Sequence, residues 1–245
     1  IGWFEENGMP EPNMASFLDL VALGTVADVV PLDHNNRILV AQGLERIRAG
    51  RCRPGIRALA EISGKQLQKI MASDFGFALG PRLNAAGRLD DMSLGIQCLL
   101  CESDELAREM AAQLDELNRD RKAIETGMQV EAMGMLQKIL AADSRNLPWG
   151  VCLFDETWHQ GVIGILASRI KDKFHRPTIV FAESGEGEIK GSARSIPGLH
   201  IRDTLDAIAT RHPHLLQKFG GHAMAAGMSL KRAQFDEFAR AFDEE

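Results

Sequence analysis

The sequence predicts an α/β protein in three parts: a mainly helical first part, one long connecting helix, and a C-terminal domain built on a mixed sheet. Three observations lead there. Residues 14–62 carry apolar side chains at helical spacing, punctuated by glycines and prolines where helices would end. Residues 103–142 hold no proline and only two glycines, and Leu106, Met110, Leu114, Leu117, Ile124, Met128 and Met135 follow a three- to four-residue period. Beyond Pro148 the pattern changes to short apolar runs separated by helical segments, the alternation of an α/β sheet domain.

In order along the chain, residues 14–31 read as a helix that stops at Pro31. Asp33 is placed to cap a second helix, whose stripe is Ile38, Leu39, Leu44 and Ile47 and whose end is Gly50. Pro54 opens a third helix through Ile62, and residues 80–91, with two glycines and a proline, read as a binding loop. The run from 103 to 142 predicts one helix of about 60 Å at 1.5 Å per residue; two antiparallel helices would need a turn at Gly127 or Gly134. Strands are expected at Val151–Phe154, Thr178–Phe181, Ile189–Ala193 and Met224–Met228, with helices near Val162–Phe174, Arg202–Arg211 and Ala233–Phe242.

With 245 residues and 45% hydrophobic content, the chain can bury one large core or two modest ones. No run approaches the roughly 18 apolar residues of a membrane span and no secretory signal is visible, so a cytoplasmic protein without a membrane partner is expected. Cys52, Cys98, Cys101 and Cys152 lack a second pair with zinc-site spacing and read as free thiols. The net charge of −6 is unevenly spread. From Arg37 to Arg88 ten Lys/Arg face three Asp/Glu, a basic stretch compatible with nucleic acid or with a solvated helix face. With 6% aromatic content and no Tyr, any grip on a strand would be mainly electrostatic.

Four runs carry the chemistry. Residues 219–227 read Phe-Gly-Gly-His-Ala-Met-Ala-Ala-Gly: Gly220 and Gly221 let backbone approach an anion, and His222 adds a ring nitrogen, although a tight turn feeding a buried strand fits the same letters. Residues 80–88, Gly-Pro-Arg-Leu-Asn-Ala-Ala-Gly-Arg, offer Arg82 and Arg88 to phosphate and Asn84 to sugar or base edges, unless the arginines pair with Asp90, Asp91 or a helix C-terminus. Residues 190–195, Lys-Gly-Ser-Ala-Arg-Ser, put Lys190, Ser192 and Arg194 on one strand face, where an exposed strand edge with routine polar residues is the alternative. Asp28, in Ala-Asp-Val-Val-Pro-Leu, lies among valines and is costly to bury without a partner; a helix-end Asp exposed to water is the alternative. His159 and Gln160 precede an apolar helix whose free N–H groups suit an anion; a simple turn with Trp158 in the core is the alternative.

Together, and in their order along the chain (22–32, 80–88, 190–195, 219–227), the four runs resemble the RecJ family of single-strand-specific exonucleases in the DHH phosphoesterase superfamily. The resemblance implies a catalytic-domain remainder over 1–102, a connector helix over 103–147 and a DHH-associated nucleic-acid-binding domain over 148–245. It also implies that Asp28 is a ligand of a two-ion Mn²⁺ or Mg²⁺ centre, that Ser192 and Arg194 recognise a 5′-phosphate, and that single-stranded DNA is degraded 5′-to-3′ in repair and recombination, with repair proteins as possible partners. The family's Asp-His-His and Asp-x-Asp motifs do not occur in these residues, and the chain begins inside an apolar stretch, Ile1-Gly2-Trp3-Phe4. A piece of a longer protein is therefore expected, with an incomplete metal centre and no nuclease activity by itself. An oligonucleotide or cyclic-dinucleotide phosphodiesterase of the same superfamily, or a non-catalytic nucleic-acid scaffold, are the other readings.

Overall fold

The computed structural model describes residues 4, 6–10, 13–142 and 148–245, in two compact units, Ile1–Asp120 and Arg121–Glu245. The expected boundary at 147/148 touches residues outside the described ones. The division between the units falls inside the long helix.

The first unit is helical: α1 (Leu18–Ala27), α2 (His34–Arg48), α3 (Pro54–Ile62), α4 (Gly80–Leu89), α5 (Ser93–Leu100) and the first half of α6 (Asp104–Ala142). α2 starts and stops as the sequence dictates. The Asp33 carboxylate accepts from the Asn36 N–H at 2.8 Å, and Gly50, at φ +74°, closes the end. Its buried face is Val40, Gly43, Leu44 and Ile47, whereas Ile38 and Leu39 of the expected stripe are exposed. The unit's core joins Ala22 and Leu23 to Leu44, Ile56, Leu59, Phe75, Leu79 and Leu83, and Ala107, Ala111 and Leu114 of α6 close it.

The expected loop at 80–91 is a helix. A π-helical turn, Phe75–Leu79, runs straight into α4, so the prolyl nitrogen of Pro81 falls in the first turn, where a missing N–H costs little. Gly80 answers to close packing, since a Cβ there would lie 2.8 Å from the Phe75 carbonyl oxygen and 3.2 Å from Ala27 Cβ. Glycine and proline marked helix packing here, where loop chemistry was the expectation.

α6 is one helix of 39 residues, uninterrupted at Gly127 and Gly134. Its second half belongs to the other unit, where Met128, Ala132 and Leu136 are buried. There a mixed five-stranded sheet has the order β1-β2-β3-β5-β4, with β1 (Val151–Asp155), β2 (Thr178–Gly185), β3 (Glu188–Arg194), β4 (Lys218–Gly221) and β5 (Ala225–Lys231). β1 and β2 are parallel and the other pairs antiparallel, which bears out the mixed α/β expectation. α8 (Ile201–Arg211) and α9 (Phe235–Glu244) cover one face over Ile179, Phe181, Ile189, Ala226, Met228 and Leu230. α7 (Ile163–Phe174) packs on β2 and β3 from the other side. The Phe181 ring, fully buried, meets Phe238 edge-on at 5.7 Å. Phe181→Ala is expected to cost about 3–5 kcal/mol through the cavity it leaves, read as a lowered denaturation midpoint of this unit; a midpoint within error of wild type contradicts the packing.

All four cysteines are free; Cys98 is buried as expected, whereas Cys52, Cys101 and Cys152 are only partly buried. Cys98 donates weakly toward the Ala107 carbonyl, and burial, reinforced by nearby Cys101, pushes its thiol up to about 11. Among the described residues no helix is long and apolar enough to cross a membrane.

Candidate nucleic-acid interface

In the first unit, Asp28 is the C-cap of α1 and is exposed, as the helix-end alternative has it, and it is not the buried carboxylate of the other reading. The reason is the way α1 ends. The Val30 N–H donates to the Thr25 carbonyl at 3.0 Å and the Val29 N–H to Val26 at 3.1 Å, a Schellman closure with Val29 at φ +55°. Glycine is the usual residue at that place, and a β-branched side chain there costs about 1–2 kcal/mol. Strain of this kind persists where the backbone is held for a purpose. A carboxylate beside the negative end of a helix is also disfavoured unless a cation joins it. Val29→Gly, at a side chain 85% exposed, is expected to stabilise the unit by roughly 0.5–1 kcal/mol, seen as a raised melting temperature.

Residues of α4 separate onto two faces. Gly80, Asn84 and Arg88 recur every four residues and share one stripe, beginning where Gly80 abuts Ala27, the neighbour of Asp28. Asn84 is exposed and Arg88 half-buried on that stripe. Arg82 faces elsewhere: its Nε lies 2.8 Å from Asp115 Oδ1 and its Nη1 2.7 Å from the Ala78 carbonyl oxygen. Neither Asp90 nor Asp91 is its partner. Arg119 binds the other Asp115 oxygen.

Burial alone would raise the Asp115 carboxyl, but the Arg119 hydrogen bond and the charges of Arg82 and Arg119 outweigh it and hold it below the usual carboxylate range. The stabilisation is present above the unfolded value of about 3.9 and is lost as pH falls through the lowered folded value. Asp115→Asn is expected to cost about 2–3 kcal/mol, less than a fully buried pair because Arg82 keeps the Ala78 carbonyl, and to flatten the acid limb of the stability profile. An unchanged acid limb would contradict the pairing.

In the second unit, β3 alternates as expected. Ile189, Gly191 and Ala193 point to the core while Lys190, Ser192 and Arg194 point the other way. Arg194 Nη1 donates to Ser192 Oγ at 3.0 Å and to the Ala193 carbonyl at 2.8 Å. Both side chains lie against the first turn of α7: a Cβ on Gly164 would sit 2.9 Å from Arg194 Nη2 and 2.9 Å from Ser192 Oγ. Glycine at 164 therefore lets guanidinium, hydroxyl and helix N-terminus meet; α7 has no side-chain cap, and the Ile163 and Ile165 N–H groups donate to the His159 and Val162 carbonyls, which leaves the Gly164 N–H nearest the pair. This is the arrangement that the sequence pattern could not show, because Gly164 lies in an apolar helix with no polar signal.

Leading into that helix, Trp158 is buried and donates from Nε1 to Glu131 at 2.7 Å, as the turn reading requires. His159 Nδ1 accepts from the Gly161 N–H at 3.1 Å, and Gln160 donates to the Glu183 carbonyl at 2.8 Å. Both side chains are exposed and hold the turn in front of the α7 N-terminus.

The Gly-Gly-His run is the end of an edge strand that the sequence reading left as a turn. Gly220 pairs with Gly227 and Gly221 with Ala226, and the His222 N–H donates to the Ala225 carbonyl at 2.8 Å. Gly221 is required there: at φ +151°, its Cβ would lie 2.4 Å from the Ala225 carbonyl oxygen. Register puts Ser192, Gly227 and Gly220 in one row across β3, β5 and β4. Gly220, Gly227 and His222 are exposed, so this row is an open backbone floor running from Ser192 toward the edge. A larger hollow of about 660 Å³ in this unit is lined by Glu131, Asp155, Glu156, Glu183 and Arg232. Four carboxylates against one guanidinium make it a poor seat for a polyanion.

Residues 146–245 match the DHHA1 domain model. Across both units the chain is similar to RecJ proteins, which bears out the resemblance of its motifs. It is 61% identical to the single-stranded-DNA-specific exonuclease RecJ of Dickeya dadantii over 98% of this chain, and 59% identical to that of Escherichia coli K12 over 99%. It spans 42% of the length of either relative. Among solved structures, RecJ of Thermus thermophilus in complex with Mg²⁺ superposes with a TM-score of 0.80 at 33% identity, covering 98% of this chain and 35% of that one.

Proposed function

We propose that this chain is part of a metal-dependent exonuclease that shortens single-stranded DNA from its 5′ end, and that the second unit receives the 5′-phosphate. The observation that carries the reading is the meeting of Arg194, Ser192 and the first turn of α7, without a side-chain cap, at Gly164. A terminal phosphate carries more charge than an internal phosphodiester, and a guanidinium, a hydroxyl and a helix N-terminus together reward that extra charge. The open Gly220–Gly227 floor, with His222 at its end, accepts the adjoining backbone without side-chain obstruction. RecJ relatives are described as single-stranded-DNA-specific, and the same substrate is proposed here.

On this reading, Asn84 and Arg88 contact the strand near Asp28 on the exposed stripe of α4, and Arg82 stiffens α4 through Asp115. Hard divalent ions such as Mg²⁺ or Mn²⁺ favour oxygen ligands and, when bound, stabilise charge on a reacting phosphate. Asp28 offers one such ligand, and among the described residues no three His, Cys, Asp or Glu side chains gather into a metal-holding group. The donor set described here does not fit a two-ion centre, so the 245-residue chain is expected to bind Mn²⁺ weakly and to leave single-stranded DNA intact. Robust metal-dependent degradation by the purified chain would overturn that. A cytoplasmic place and a role in repair and recombination belong to the same proposal.

The experiment for the phosphate reading compares binding of 5′-phosphorylated and 5′-hydroxyl oligothymidylates to the chain. Preference for the phosphorylated end, lost in Arg194→Ala, supports it. Equal affinity for both ends removes it.

A further inference from the structure

The sheet face that carries Ser192 and Arg194 continues for one more row. Register aligns Lys190 of β3 with Ser229 of β5, and Ser229 with Lys218 of β4. This row lies two residues along β3 from Ser192, about 6.8 Å at 3.4 Å per residue. Adjacent strands lie about 4.8 Å apart, so the two lysines flank the serine hydroxyl at distances their flexible arms easily close.

We propose that Lys190, Ser229 and Lys218 form a second phosphate station, which binds a further backbone phosphate of the same single strand. The inference rests on the 5′-phosphate reading of Ser192 and Arg194 and extends it. Lys190 and Lys218 are exposed, and no carboxylate pairs with either among the described residues. One row further on, Glu188 stands opposite Lys231, and their charges offset each other, which ends the cationic run. A hollow of about 300 Å³ lies over this row, with Gly227 and Ser229 in its lining. No aromatic side chain stands on the outward positions of these rows, so the grip is on phosphate and tolerant of base sequence. Two cations around one hydroxyl, in a chain of net charge −6, place positive potential along one line of the sheet.

A single-phosphate ligand reaches only one station, whereas a strand of several nucleotides reaches both. The probes are therefore 5′-dTMP and a 5′-phosphorylated thymidylate hexamer, titrated into the full 245-residue chain and followed by backbone amide shifts. The K190A/K218A double variant is expected to bind the hexamer roughly 3–10-fold more weakly and to lower the salt slope by about 0.7, the value for one single-strand phosphate contact. Its affinity for 5′-dTMP should stay within about twofold, since the first station is untouched. Arg194→Ala should instead weaken both ligands.

The outcomes separate the two claims. Wild-type hexamer affinity and salt slope in the double variant, or an equal loss for 5′-dTMP, overturns the second station. A double variant that loses only hexamer affinity, beside an Arg194→Ala chain that binds 5′-dTMP normally, retains the second station and overturns the 5′-phosphate reading. Absence of any shift at Gly227 and Ser229 in the wild-type chain overturns the second station whatever Arg194 does. Both lysines are exposed, so neither substitution removes core packing, and K218E, with reversed charge, should deepen the hexamer loss further.

Discussion

Arg194→Ala is expected to erase the proposed preference for 5′-phosphorylated over 5′-hydroxyl single strands. The guanidinium makes charge-assisted hydrogen bonds, each worth about 1.5–3 kcal/mol, so the loss for a phosphorylated end is on the order of 10–100-fold. The 5′-hydroxyl substrate, which lacks the terminal charge, should change far less. Arg194→Lys is informative as well: it keeps the charge but not the fork that reaches Ser192 Oγ and the Ala193 carbonyl together. Partial recovery is expected from it. A folded Arg194→Ala protein that still favours phosphorylated ends as strongly as wild type would show that Gly164, Ser192 and Arg194 meet for packing alone.

Asp28→Ala is expected to reduce strand degradation by the complete protein by at least about 10²–10³-fold, the range for loss of one preorganised group that stabilises reacting charge. The fold should survive, because Asp28 is exposed and the helix end is closed by the Val29 and Val30 amides. Its binding of single strands should persist, since the proposed phosphate stations lie in the other unit. Loss of catalysis with retained binding separates a metal-ligand role from a structural one. Should Asp28→Ala lose stability and binding together, the carboxylate would be a helix cap and nothing more. The pair Asp28→Ala and Asp28→Asn adds a second readout, as both should weaken Mn²⁺ binding by calorimetry.

Much of this was legible in the letters. The Asp33 cap, the Pro54 start and the apolar period through α6 each act locally, so the sequence determines them without tertiary help. The alternation of Lys190, Ser192 and Arg194 was equally readable, because a strand reverses its side chains at every residue. What was misread depends on neighbours distant in sequence. Gly80 and Pro81 looked like a loop, and only the approach of Ala27 shows that a glycine was needed for helix packing. Arg82 looked available for phosphate, yet its partner Asp115 is 33 residues away on another helix. Asp28 is a local case: the left-handed turn at Val29 turns Val29 and Val30 outward and leaves the carboxylate at an exposed helix end.

The candidate surface of the second unit was legible in composition and not in arrangement. The Gly-Gly-His run suggested anion chemistry, but its place as an edge strand paired with β5 follows only from register. That register is what brings Lys218 opposite Ser229 and Lys190, three residues with no shared motif. Gly164 gave no sign at all, since its role is to be absent where Arg194 and Ser192 need room.

The most direct measurement is nucleotide release by the complete protein from 5′-labelled single and double strands in Mg²⁺ or Mn²⁺, with Asp28→Ala and Arg194→Ala alongside. Release from the 5′ end of single strands, near-total loss in Asp28→Ala, and loss of end discrimination in Arg194→Ala are expected. Degradation from the 3′ end, or wild-type rates from Asp28→Ala, would contradict it.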